Sequence, residues 1–216
     1  LWGEANHSAR SNLRTIKAIL DEQIRATGLD AQLRLTTHRS RGGSGGGYRL
    51  HVPSDRVDVL LGQFHHAAAA TALPSRPEIA LEHCERARDL DLERFGTDLP
   101  GTPWMGARQV WAANLGRSVR ELLCSARLLL GQYTRAYLDA CALHVPGEVR
   151  TKTWLVLIAG AYGSGNLDAA LDHLRDCRGA YLDKGLHLPE EIGLLHKAIL
   201  DSDDAGIRGL LSRLAC

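Results

Sequence analysis

Apolar residues recur at intervals of three and four early in this chain, at Leu13, Ile16, Leu20 and Ile24. That spacing lays one apolar stripe down an α-helix. At about 100° per residue, the opposite face centres on Ser11, Thr15 and Ala18, with Arg10, Arg14 and Lys17 along one flank. The stripe is expected to lie on a core, with the small and cationic residues turned outward. Residues 33–37 and 48–52 then lean to β-structure and enclose five glycines among positions 42–47, which predicts a hairpin with a glycine-rich tip. Arg39 and Arg41 fall at that tip.

Beyond the hairpin the period is helical throughout. Pro53-Ser54-Asp55 closes it, and Ser54 or Asp55 is expected to cap the following helix. Helices are predicted near 55–72, 77–95, 105–130, 133–144, 148–163, 167–184, 189–200 and 204–214. Breaks fall at the Pro and Gly clusters between them. A repeat runs through this stretch: Gly131 to Gly165 and Ala136 to Ala170 are each separated by 34 residues. That is the tetratricopeptide period, with a turn glycine between antiparallel helices and a small residue where they cross. Ala80 is expected to hold the equivalent place in an earlier pair. Cys141 and Cys177 fall on the second helices, where buried thiols are expected, and Trp104 is expected to plug a groove between repeats. A domain of this kind ordinarily grips other proteins.

Composition divides the chain. The 216 residues carry a net charge of +1, yet residues 1–53 hold eight Lys/Arg against four acids and the remainder is mildly acidic. A small basic piece facing a polyanion, joined to a larger acidic one, follows from that balance. The five cysteines are scattered without C-x-x-C spacing, as reduced intracellular thiols would be. The longest apolar run, residues 154–162, is too short to span a bilayer, and no signal peptide is visible. The chain opens on Leu1 rather than Met, so it reads as a fragment or a part of something longer.

Catalytic constellations are missing from the text of the chain. His65-His66 and His83-Cys84 are the close groupings among ten histidines, and neither has metal-ligand spacing. The glycine-rich tip lacks the Gly-Lys-Ser/Thr ending of a phosphate loop, and G-x-S-x-G is absent. No metal, cofactor or enzymatic activity is expected. A basic amphipathic helix followed at once by a basic β-wing is instead the reading half of a winged-helix DNA-binding module.

The order of these pieces resembles the Streptomyces antibiotic regulatory protein (SARP) family. Its members join an OmpR-type winged helix to a bacterial transcriptional activator domain of tetratricopeptide-like repeats. The resemblance rests on Leu1-Trp2-Gly3-Glu4, Leu13-Arg14-Thr15 and Gly46-Gly47-Tyr48-Arg49-Leu50. It continues through Val57-Asp58, Pro103-Trp104, Leu129-Leu130-Gly131-Gln132-Tyr133, Tyr162-Gly163-Ser164-Gly165, Leu188-Pro189-Glu190-Glu191-Ile192 and His196-Lys197-Ala198-Ile199-Leu200.

It implies a mainly α protein in three parts. These are a winged helix-turn-helix over 1–53 without its N-terminal strands and first helix, an activator domain over 54–201, and a helical tail over 202–216. By the same resemblance the protein is a cytoplasmic activator, not a membrane protein. It would bind direct repeats in double-stranded promoter DNA as a homodimer, recruit RNA polymerase subunits and serve secondary-metabolite (antibiotic) genes. Arg10, Asn12, Arg14, Thr15 and Lys17 are expected to read or clamp the major groove. Arg39, Arg41 and Arg49 would hold backbone or minor groove, with Tyr48 packing the wing onto the helix. Asp21-Glu22 stands where the family carries arginines, and these acids are expected to lift clear of the groove while weakening phosphate attraction. The alternative reading is a helical-repeat adaptor that binds protein or a small effector without touching DNA.

Overall fold

The computed structural model describes residues 7–39, 46–98, 101 and 103–213. The chain divides into two compact units, Leu1–Leu61 and Gly62–Cys216. The first contains α1 (His7–Ala26) and an antiparallel hairpin of β1 (Arg34–Arg39) and β2 (Gly46–His51). Helix α2 (Asp58–Ala72) leads into the second, which continues through α3 (Pro77–Arg88), α4 (Pro103–Leu129), α5 (Tyr133–Leu143), α6 (Thr151–Gly163), α7 (Leu167–Asp183), α8 (Glu190–Leu200) and α9 (Asp204–Arg213). The architecture is the expected one: mainly helical, with a two-stranded hairpin near the N-terminus and helical repeats after it.

Two boundaries differ from expectation. Ser54–Arg56 form a 3₁₀ turn with no side-chain capping bond, so neither Ser54 nor Asp55 caps α2 in the expected way. Helix α3 stops at Arg88 because Asp91 takes a left-handed φ of 47°. The chain then makes a 3₁₀ turn over Leu92–Arg94 that buries Leu92 beside Gly62. A Cβ at Gly62 would lie 2.7 Å from the Leu92 side chain, so a larger residue there would have to displace Leu92.

The repeat visible in the spacing is real in three dimensions. Ala80, Ala136 and Ala170 are each the fourth residue of their helix, and all three are fully buried. The eighth and eleventh residues are buried as well: Cys84 and Ala87, Ala140 and Leu143, Leu174 and Cys177. Small side chains at the crossing let backbones approach closely. The same logic applies at Gly160, where an added Cβ would meet the Tyr137 backbone at 3.0 Å.

Turn chemistry repeats too. Gly131, Gly165 and Gly185 each hold φ between +65° and +82°. After each, an amide bonds back five residues: Gln132 N to Arg127 O, Asn166 N to Ala161 O, and Leu186 N to Tyr181 O, at 2.8 to 3.0 Å. This is the Schellman closure that a left-handed glycine permits.

One hydrophobic core runs through α2 to α9, and buried charges stitch it. Glu121 on α4, 2% exposed, accepts from Arg150 Nε at 2.6 Å and from Thr153 Oγ1 at 2.7 Å, joining α4 to the start of α6. Arg127, 1% exposed on α4, reaches Glu85 on α3 at 3.3 Å and also pairs with Asp139 on α5. Trp154 is buried, its Nε1 donating to Glu148 O at 2.8 Å with the His144 ring set edge-on at 4.4 Å.

Candidate nucleic-acid interface

Helix α1 forms as its period predicts, and it presents Asn12, Arg14 and Thr15 to solvent. Thr15 Oγ1 donates to Ser11 O at 3.3 Å, folding that hydroxyl back onto its own helix. Asn12 and Arg14 are two residues apart and so stand about 160° apart around the axis. They do not share one flank of the helix. Arg10 belongs to α1, but its side chain lies outside the described residues.

One expectation about α1 needs correction. The apolar stripe is only partly covered: Leu13 and Ile24 are half-buried, while Ile16 and Leu20 remain 46% and 47% exposed. Among the described residues neither hairpin strand packs broadly against α1, so the period fixes the stripe without supplying a surface for all of it. Asp21 is engaged on its own helix. It pairs with Lys17 one turn away and accepts Arg25 Nε at its carbonyl, 3.1 Å away, so Lys17 is already partly neutralised.

The hairpin register settles what can act together in the wing. Arg34 faces His51, Thr36 faces Arg49 and His38 faces Gly47. Alternation therefore gathers Arg34, His38, Arg49 and His51 on one face, all exposed, with Thr36 Oγ1 bonded to His51 Nε2 at 2.9 Å. Arg34, His38 and His51 escaped the sequence reading, although counting by twos from Arg49 across the turn would have found them. The other face carries Leu35, Tyr48 and Leu50, with Tyr48 37% and Leu50 51% exposed. Arg39 pairs with Gly46 in the ladder, its side chain outside the described residues; Arg41 lies outside them altogether.

The helical unit has polar pairs of its own. His65 Nδ1 and His83 Nδ1 lie 2.9 Å apart, one donor and one acceptor. Burial, then the His83 and Arg86 charges, holds the His65 imidazole below its usual range. Burial also lowers His66, which meets Ser118 Oγ at 2.9 Å, and lowers His173, which meets the Tyr137 hydroxyl at 3.0 Å. Cys84, Cys124 and Cys177 are buried, and burial pushes each thiol up to about 12. Cys141 is exposed, contrary to expectation, because it follows buried Ala140 by one residue and so turns about 100° outward. Trp104 is also outside, 65% exposed, with Arg108 over its ring at 5.8 Å. Trp104 lies in the first turn of α4.

Among the described residues there is no cluster of three or more His, Cys, Asp or Glu suited to a metal ion. No described helix is long and apolar enough to cross a membrane.

A family model described as the bacterial transcriptional activator domain matches residues 57–200. A solved structure, Mycobacterium tuberculosis EmbR in complex with a low-affinity phosphopeptide, is similar in fold with a TM-score of 0.70 and 19% identity. The similarity covers 98% of this chain and 55% of that one, so the chain spans about half of EmbR's length. Comparison with curated proteins finds no match.

Proposed function

The chain belongs to the family of the bacterial transcriptional activator domain, and from that premise we propose that it is a transcriptional activator of the SARP type that binds promoter DNA through its N-terminal unit. The carrying observation is the family match over α2 to α8, preceded by a basic helix and wing in an order that one EmbR-like fold accommodates. Arg14 on α1 and the Arg34–Arg49 face of the hairpin supply the cations for phosphate and groove contact, with Arg10, Asn12, Thr15, Lys17, Arg39 and Arg41 as further contacts. The helical unit is the handle for RNA polymerase subunits, and two copies sit side by side on direct repeats. Secondary-metabolite genes and a cytoplasmic location complete the reading.

The test is fluorescence anisotropy of the full chain on duplexes selected from a random-sequence pool, across salt. With Arg14, Arg34 and Arg49 each neutralising one phosphate, the log–log slope is about −3 or steeper. Failure to select or bind any duplex at low salt overturns the proposal.

The partly exposed stripe of α1 and the Lys17–Asp21 pair favour a second reading, an adaptor that works through its helical unit alone. That reading expects no binding at any salt.

A further inference from the structure

Helix α9 departs from the repeat in four ways. Helix α3 packs on α4, α5 on α4 and α6, and α7 on α6, each on neighbours in sequence; α9 packs on α8 but also turns back onto α4 and α6. At the fourth position, where α3, α5 and α7 carry alanine, α9 carries the larger Ile207. The helix is ten residues long with Gly206 and Gly209 inside it, too short and glycine-rich to persist undocked. It also lies beyond residue 200, where the family match ends.

Its attachment is mainly apolar. Ile207, Leu210 and Leu211 are buried. Among the described residues no ion pair joins α9 to the rest of its unit; Asp203 Oδ1 accepts from Gly206 N at 2.9 Å at its start, and Tyr162 Oη donates to Asp204 Oδ1 at 3.4 Å. The buried Arg127 and Glu121 bridges that clamp α3, α4, α5 and α6 have no counterpart here. Three open cavities, of about 380, 350 and 300 Å³, each have α9 as one wall. Leu155 and Leu194 line the first, together with Glu190, Glu191, Lys152 and Arg213. Leu128 and Ala159 line the second, beside Arg208. Beneath α9, then, is an apolar trough on α4, α6 and α8 with acidic residues on one rim.

We propose that this trough is a helix-binding groove which α9 occupies in place of a partner, and that an amphipathic helix from another protein displaces it. The partner's chemistry is read from the present occupant: apolar residues at i, i+3 and i+4, as in Ile207, Leu210 and Leu211, with a basic flank that meets Glu190 and Glu191. Docking such a helix costs the release of α9, so α9 sets the threshold a partner must exceed. The inference stands whether or not α1 and the hairpin touch DNA.

A labelled synthetic peptide of residues 201–216 tests it by anisotropy against the full chain and against the full chain carrying Ile207→Asp with Leu211→Asp. The substituted chain is expected to bind the peptide at least ten-fold tighter than the unmodified one, and a peptide with the same two substitutions should not bind. Equal binding by both chains, with helical circular dichroism retained, overturns the proposal. Hydrogen exchange on the unmodified chain decides the matter if the substituted chain does not fold. Amides of α9 should exchange at least a hundred-fold faster than those in the middle of α6, and equal protection sinks the idea.

Discussion

Arg127 offers the sharpest test of how the helical unit is held together. Its guanidinium is 1% exposed, while its partners Glu85 and Asp139 are 41% and 39% exposed. Its Nε has no hydrogen-bond partner, and burial pulls its pKa below the usual arginine range. The cost of the cluster therefore sits on the cation, and the two removals are unequal. Arg127→Met leaves two carboxylates that water can solvate, removes an orphaned donor worth about 1–3 kcal/mol, and fills much of the same volume. Its net effect should lie within about 1 kcal/mol of zero. Glu85→Ala with Asp139→Ala leaves a buried cation with no counter-charge, a change worth roughly 3–5 kcal/mol. At about 2–4 °C per kcal/mol for a unit of this size, the double variant should melt roughly 6–20 °C lower. Urea unfolding followed by the fluorescence of buried Trp154, together with calorimetry, reads both. The triple variant should return close to the Arg127→Met value, since the acids matter only while the cation is present. If Arg127→Met costs as much as the double acid variant, the assignment of the cost to the buried cation is wrong.

Gly163→Ala should cost about 1–3 kcal/mol, because its Cβ would sit 2.3 Å from the Tyr133 ring. Gly179→Ala inside α7 meets nothing and should stabilise by about 0.5–1 kcal/mol, so the two unfolding midpoints should move in opposite directions. Acidification should destabilise the helical unit before any carboxylate titrates. His65, His66, His144 and His173 all have folded pKa values lowered, by burial first, so the unfolded chain takes up their protons sooner. Stability is then full above the unfolded value of about 6.5 and falls as pH drops through the lower folded values. A urea midpoint that rises between pH 7.5 and 5.5 would contradict this. Under the DNA-binding proposal, Asp21→Asn frees Lys17 and should steepen the salt slope of duplex binding by about 1. An unchanged slope removes Lys17 from the phosphate contacts.

Much of the helical unit could be read from the chain because its signals are local. Gly131 and Gly165 end helices through their own φ freedom, and the 34-residue spacing places Ala136 and Ala170 at identical positions whatever surrounds them. The same holds for the amphipathy of α1 and for the hairpin, whose alternation needs only its own two strands. Periodicity names a face, however, and says nothing of what covers it. The α1 stripe is half exposed, Trp104 is outside, and α9 turns back onto α4 and α6, because each outcome depends on which distant surface is available. Likewise, His65 finds His83, and Arg127 lies between Glu85 and Asp139, across separations that carry no sequence signal. Local backbone preference wrote the helices and turns, while burial and charge pairing, which act through space, chose their partners.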